Sequence, residues 1–358
     1  MKRMSRNTWP PNEPGMNQLL TALIVVSVSA CTLGSEGDVF TTRSTSPVST
    51  TDAGTPCTPA QERSNWPVRV VFVVQNSGAM CVVDPPGSQG QAGFCEMIAP
   101  TITPAGLTRS ARASVIDSFL NTNRPRPNFS AALVSWGENP RVVPFVSGSD
   151  PSLRIALAEL QSTLQRASNL QGGLEAAKAL IEQDVLTTAE SLRARSRYVV
   201  VVLSTGVPFP RCAANDMMAQ YASAARPELV WADSPGAGGS CNDQNPEILG
   251  FTPGSNLNQN AQLFAAVDGM LALDTQYGLG DVRVFTRLML NDANVAACGL
   301  ICQDLFGPQS LADTRAMGTW LLTQLAQRGQ GTFVDPGTPS NLTLADIDTS
   351  EFTTFCGP

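Results

Sequence analysis

The chain has 358 residues, 42% hydrophobic and 15% charged, which allows one large α/β domain or two small ones beneath a weakly charged surface. Its net charge of −7 argues against a nucleic-acid partner, which favours a basic face. There is no histidine, so Ser-His-Asp and Cys-His catalysis, His-ligated zinc and a histidine pH switch are all excluded.

The N-terminus reads as an export signal. Lys2, Arg3 and Arg6 give a positive start, and residues 19–30 form an apolar run of signal-peptide length. That run is shorter than the ~20 residues a permanent membrane helix needs. It ends in Val28-Ser29-Ala30-Cys31, which resembles the bacterial lipobox, where signal peptidase II cuts before the cysteine and lipid is attached to it. The resemblance implies a lipoprotein signal peptide over residues 1–30 and a lipid on Cys31. Thr32 is not the aspartate associated with inner-membrane retention, which implies the outer membrane, facing either the periplasm or the cell surface. The alternative is an ordinary signal peptide cut after Ala30, with Cys31 incidental. The long n-region contains Glu13 and leaves room for a start codon further downstream.

Residues 31–65 are rich in Ser, Thr and Pro without a hydrophobic period, the composition of a flexible tether. Removing Cys31 from nine cysteines leaves eight, and an even number in an exported chain reads as disulfides. Spacing alone does not determine their pairing. The expected pairs are Cys81–Cys95 and Cys212–Cys241, each closing a polar loop, Cys298–Cys302, and Cys57–Cys356 tying the two ends of the domain. A redox-active or zinc-binding Cys298/Cys302 pair is the alternative, lacking the two-residue spacing, a second such pair and any histidine.

From Trp66 the composition changes. Residues 70–74, Val-Val-Phe-Val-Val, make an unbroken apolar, mostly β-branched run, the mark of a strand buried on both faces of a parallel sheet. The strand, 68–74, stops at Gln75-Asn76-Ser77-Gly78-Ala79-Met80, where such sheets place their ligand crevice. A Pro/Gly/Gln-rich insertion over 81–106 lengthens the following loop. Residues 108–121 predict a helix through Ala113, Ile116, Phe119 and Leu120, with Thr108 as N-cap. Two short strands, 131–136 and 141–146, flank a Gly137-Glu138-Asn139-Pro140 turn. Asp150-Pro151 opens a helix whose apolar face is Leu153, Ile155, Leu157 and Leu160. After a loop, 170–185 is an amphipathic helix through Leu174, Ala177, Leu180 and Ile181. Residues 198–203, Tyr-Val-Val-Val-Val-Leu, are a second central strand. The Pro/Gly/Asn-rich insertion 207–257 leaves from its end and should lie over the carboxyl edge of the sheet. A helix over 258–277, with Asn258 as N-cap, aligns Leu263, Phe264, Val267, Met270 and Leu271. Then come a strand at 282–290, a loop insertion at 291–308, a helix at 311–327 and a short strand at 331–334. This alternation predicts a doubly wound, mostly parallel open sheet of about six strands with helices on both faces and no internal repeat.

Three stretches in order carry a family resemblance: Gln75-Asn76-Ser77-Gly78-Ala79-Met80, Ala167-Ser168-Asn169-Leu170-Gln171-Gly172-Gly173-Leu174, and Leu203-Ser204-Thr205-Gly206-Val207-Pro208. They are similar to the three loops with which von Willebrand factor A (vWA) domains hold a divalent metal: Asp-x-Ser-x-Ser, Thr-Asn-Leu-Gly-x-x-Leu, and Thr-Asp-Gly. The resemblance spans residues 66–335 within a domain expected over 66–358, and it implies an antiparallel edge strand at the hairpin. Position by position it implies a degenerate metal-ion-dependent adhesion site. Gln75 stands at the first aspartate, Ser77 matches, Ala79 replaces the second serine, Ser168 sits at the threonine, and Thr205 replaces the last aspartate. Magnesium sheds water reluctantly and usually takes one or two carboxylates. The matched positions offer none, so neither a metal nor any other cofactor is expected there. Asp84, Glu96 and Asp216 in the flanking loops are the acids available as substitutes. Otherwise Gln75, Ser77, Ser168 and Thr205 bond the loops to one another, and Gly78 and Gly206 serve sharp turns.

The sequence therefore predicts a non-catalytic, lipid-anchored binding or scaffold protein of the cell envelope, touching the membrane only through Cys31. Its long disulfide-pinned loops would recognise a protein or glycan partner. One alternative is a metal-dependent adhesion module with a substitute carboxylate. A second is a serine hydrolase using Ser77 or Ser204; its base would be Lys178, whose place on the 170–185 helix reads as a solvated face.

Overall fold

The computed structural model describes residues 66–85, 95, 109–161, 164–165, 167–208, 257–298, 311–347 and 349. The signal peptide, Cys31, the tether, most of each insertion, Glu96, Asp216 and the pairs Cys57–Cys356, Cys212–Cys241 and Cys298–Cys302 lie wholly or partly outside these residues. Among the described residues no helix is long and apolar enough to cross a membrane.

The strands are β1 (Val68–Gln75), β2 (Phe129–Trp136), β3 (Arg141–Ser147), β4 (Arg197–Ser204), β5 (Asp281–Leu288) and β6 (Gln330–Val334). They form one sheet in the order β3-β2-β1-β4-β5-β6, parallel throughout except for β3, which runs antiparallel to β2 at the edge. The apolar runs sit at the centre, where β4 is buried along its whole length. Strand pairing continues past those runs, so that Gln75 pairs with Trp136 and Ser204 with Leu288 at the carboxyl edge.

The helices are α1 (Met80–Val83), α2 (Ala111–Asn123), α3 (Pro151–Glu159), α4 (Leu170–Thr187), α5 (Glu190–Arg193), α6 (Asn260–Tyr277), α7 (Asp292–Cys298) and α8 (Leu311–Arg328). On one face α6 packs between α4 and α8. Arg69 reaches Asp184 of α4 from this side of β1, and the Thr286 hydroxyl of β5 donates to the Leu322 carbonyl of α8 at 2.8 Å. On the other face Phe119 of α2 meets Phe72 edge-on at 5.6 Å and Phe129 at 6.4 Å. The same face of β5 presents Arg287, whose buried guanidinium donates to both carboxylate oxygens of Asp346 and to the carbonyls of Thr343 and Thr332. That clamp holds the segment following β6 against the sheet, a role the sequence does not announce.

Several details depart from the sequence expectations. The strand expected over 282–290 ends at Leu288, and α1 and α7 form short helices where the stretches from 81 and 291 are expected to be loop. The second helix begins at Ala111 with Ser110 as N-cap and no side-chain cap of its own, because the Asp84 carboxylate accepts from Ala111 N at 2.7 Å and Arg112 N at 3.1 Å. Thr108 lies outside the described residues. The N-cap of α6 is Gln259, not Asn258, which is left-handed at φ 53°. Asn258 instead exchanges hydrogen bonds with Gln171, its Oδ1 accepting from Gln171 N and its own N–H donating to Gln171 Oε1. Ile155 is 62% exposed; on a helix, Leu153, Leu157 and Leu160 follow one face and Ile155 points the other way. Lys178 is half-buried against α6, where a Cβ on Gly269 would lie 3.2 Å from its Cε, so it does not stand on a solvated face.

Candidate functional site

The three loops converge at the carboxyl edge of β1 and β4. The first turns directly out of β1. Asn76 N donates to the Trp136 carbonyl at 2.6 Å, Gly78 N to the Gln165 carbonyl at 2.7 Å, and Gln165 N to the Asn76 carbonyl at 2.9 Å. This bridge lays the stretch before Ser168 alongside Ser77. The second loop ends in α4, which Asn169 caps by accepting from Gly172 N at 3.0 Å. The third leaves β4 through Thr205 and Gly206.

Gly206 has φ +67°, a conformation that favours glycine. Gly78 also lies in a turn, directly after β1, and is not among the glycines of positive φ. Gly318 of α8 forms the floor beneath the third loop, and a Cβ on it would come 2.3 Å from the Thr205 carbonyl oxygen. Gly318→Ala is accordingly expected to cost about 1–3 kcal/mol of stability by overpacking, read as a lower urea midpoint at unchanged slope.

At the meeting point lies Gln75. Its Nε2 donates to Ser77 Oγ at 2.8 Å and to Ser168 Oγ at 2.7 Å. Its Oε1 accepts from Ser204 Oγ at 3.0 Å, Thr205 N at 2.8 Å and Thr205 Oγ1 at 3.1 Å. A backbone N–H can only donate, so Thr205 N fixes which end of the amide is oxygen. The Ser204 and Thr205 hydroxyls also accept from Gly206 N and Val207 N. The four matched polar residues thus come together as the sequence suggests, with Ser204 as a fifth member. Gln75, Ser77, Ala79, Ser168 and Thr205 are each 2% exposed or less.

The fold is vWA-like. It has the β3-β2-β1-β4-β5-β6 order, the single antiparallel edge strand and the three loops gathered at one edge. No protein-family model and no curated protein sequence matches the chain. Among solved structures it is similar to the PilB minor pilin of Streptococcus sanguinis, at 14% identity and TM-score 0.36 over 74% of this chain and 62% of that one. It is similar to the vWF domain of the type V pili tip protein Mfa5 of Porphyromonas gingivalis, at 13% identity and TM-score 0.39 over 80% and 94%. A third is an aerotolerance-related membrane protein of Bacteroides fragilis, at 12% identity and TM-score 0.38 over 79% and 92%. The chain spans less than two thirds of the pilin's length.

Beside the vWA-like loops stands a network that sequence reasoning missed. The guanidinium of Arg112 is fully buried and its Nη2 donates to Asn76 Oδ1 at 3.2 Å and to the Leu160 carbonyl. Its Nη1 lies 3.7 Å from Asp84 Oδ2. Burial pushes the Asp84 carboxyl above the ordinary range, while the Arg112 charge and the two backbone N–H groups pull it back; burial likewise draws the Arg112 guanidinium down. Asp84 is therefore committed to α2 and Arg112. Cys81 of α1 and Cys95 are joined by a disulfide. Among the described residues no group of three or more His, Cys, Asp or Glu side chains is placed to hold a metal.

Chemically the cluster is neutral and self-satisfied. Ser77 and Ser204 are both occupied by the Gln75 amide, and no histidine, lysine or carboxylate hydrogen-bonds to either among the described residues.

Proposed function

We propose that the chain is a lipid-anchored binding module of the bacterial cell envelope. Cys31 carries its anchor, and its vWA-like domain recognises a protein or glycan partner without catalysis. The observation that supports this reading best is the state of the serines. A nucleophilic serine needs a base within hydrogen-bond reach and an approach for substrate. Ser77 and Ser204 are buried against an amide instead, and Lys178 belongs to the α4–α6 seam. With the cluster sealed, partner contacts fall to the surrounding loops, foremost the insertion over 207–257 that leaves from the third loop.

The test has two arms. The wild-type chain is expected to take up labelled palmitate and to sediment with the envelope, and Cys31→Ala to do neither; a labelled Cys31→Ala chain would refute the anchor. Affinity capture from the native envelope is expected to recover a partner with the full chain and to lose it when 207–257 is deleted while the domain stays folded. Ester or amide hydrolysis abolished by Ser204→Ala would overturn the non-catalytic reading.

A further inference from the structure

The vWA resemblance implies a divalent ion between the three loops, and the donor set among the described residues does not fit one. Such an ion must be compensated for lost water, usually by one or two carboxylates among its oxygen ligands. Here the loops present Ser77, Ser168, Ser204 and Thr205 hydroxyls around the Gln75 amide, all uncharged. Of the three substitute acids, the one among the described residues, Asp84, faces α2 and Arg112.

We infer that the Gln75 carboxamide takes the structural place of the ion. Its nitrogen offers two hydrogens, one to Ser77 Oγ at 2.8 Å and one to Ser168 Oγ at 2.7 Å. These are the two hydroxyl oxygens that the resemblance would turn toward a cation. Its oxygen gathers the third loop through Ser204 Oγ, Thr205 Oγ1 and Thr205 N. One covalently attached dipole thus joins all three loops, with its positive end toward two and its negative end toward the third. Ala79 fits this arrangement. It is buried and its side chain supplies no donor or acceptor, where a serine hydroxyl would have to find a partner.

Two consequences concern the partner. An ion can leave and a side chain cannot, so the loops keep their arrangement whatever the divalent-cation concentration. An ion also has coordination positions to offer a partner's carboxylate, whereas the amide's hydrogens are both used and its oxygen already accepts three bonds. The module therefore binds by contacts around the sealed cluster, and its binding persists in chelator. The inference rests on the vWA-like placement of the three loops and not on the envelope role.

The test is a manganese titration of the full chain followed by electron paramagnetic resonance. Wild type is expected to show no saturable Mn2+ binding and the same melting temperature in Mg2+ and in EDTA. Gln75→Asp/Ala79→Ser/Thr205→Asp, which restores the family's acids and serine, is expected to bind Mn2+ saturably and to melt higher with Mg2+. Should that variant not fold, Gln75→Glu is the second readout, since it keeps the side-chain length and adds one carboxylate. It is expected to melt higher with Mn2+ than without. Saturable Mn2+ binding by wild type, lost in Ser168→Ala, would overturn the inference, as would a folded triple variant or Gln75→Glu that ignores the ion. None of these results bears on capture by the 207–257 insertion, so the two proposals fail separately.

Discussion

Replacing Gln75 with alanine is expected to lower the unfolding free energy by about 3 kcal/mol or more, the sum of one orphaned backbone group and a buried cavity. The hydroxyls of Ser77, Ser168, Ser204 and Thr205 can rotate and partly satisfy one another. Thr205 N cannot, because its direction is set by β4, and without Oε1 it is left buried and unpaired at the carboxyl edge of the sheet. Such a group costs about 1–3 kcal/mol by itself. The void left by the amide adds to this, since Gln75 is fully enclosed. Gln75→Leu separates the two contributions: it fills most of the volume and restores none of the hydrogen bonds. It should recover the cavity part and leave the polar part. Urea unfolding of the three proteins measures both. An alanine variant within about 0.5 kcal/mol of wild type, the range of an ordinary surface substitution, would mean that the amide does not hold the loops together.

Much of the sheet is legible in the sequence because its central strands are buried on both faces. Residues 70–74 and 198–203 are short, unbroken and rich in β-branched side chains, which favours a doubly buried strand, and the hairpin at 137–140 has turn residues where it needs them. Helix starts read less well. The partner that satisfies Ala111 N comes from Asp84, 27 positions earlier, and no local cap motif records it. Asn258 looks like a cap but spends its side chain on Gln171, 87 positions away. In the site, the identities of Gln75, Ser77, Ser168 and Thr205 reveal an absent charge. Which atom meets which follows only from the register that brings β1 beside β4. Arg112 is the hardest to anticipate. An arginine in the first turn of a helix reads as solvated, and here its guanidinium closes the space between Asn76, Asp84 and the end of α3.

That burial sets the second large effect. Arg112→Met is expected to cost about 3–5 kcal/mol, because removing one partner of a buried pair leaves the other charge without compensation. The methionine restores most of the volume, so the loss reports electrostatics and hydrogen bonding rather than a void. Asp84 keeps its two bonds to α2 but loses the opposing charge, and Asn76 Oδ1 and the Leu160 carbonyl lose their donor. The pH dependence follows from the Asp84 carboxyl. Burial already raises it in the folded protein and Arg112 restrains the rise; without Arg112 it goes higher still. A carboxyl whose folded value lies above the unfolded ~3.9 contributes most below that value, and the contribution is lost as pH climbs through the folded value. The deficit of Arg112→Met relative to wild type should therefore be largest at neutral pH and shrink toward about pH 4. Adding Asp84→Asn removes the stranded charge, so the double variant should be more stable than Arg112→Met alone at neutral pH, and the two should converge in acid. A double-mutant cycle in urea at both pH values reads this directly. A deficit that grows on acidification, or a double variant as unstable as the sum of the singles, would mean that Arg112 acts through packing alone and that its charge does nothing for Asp84.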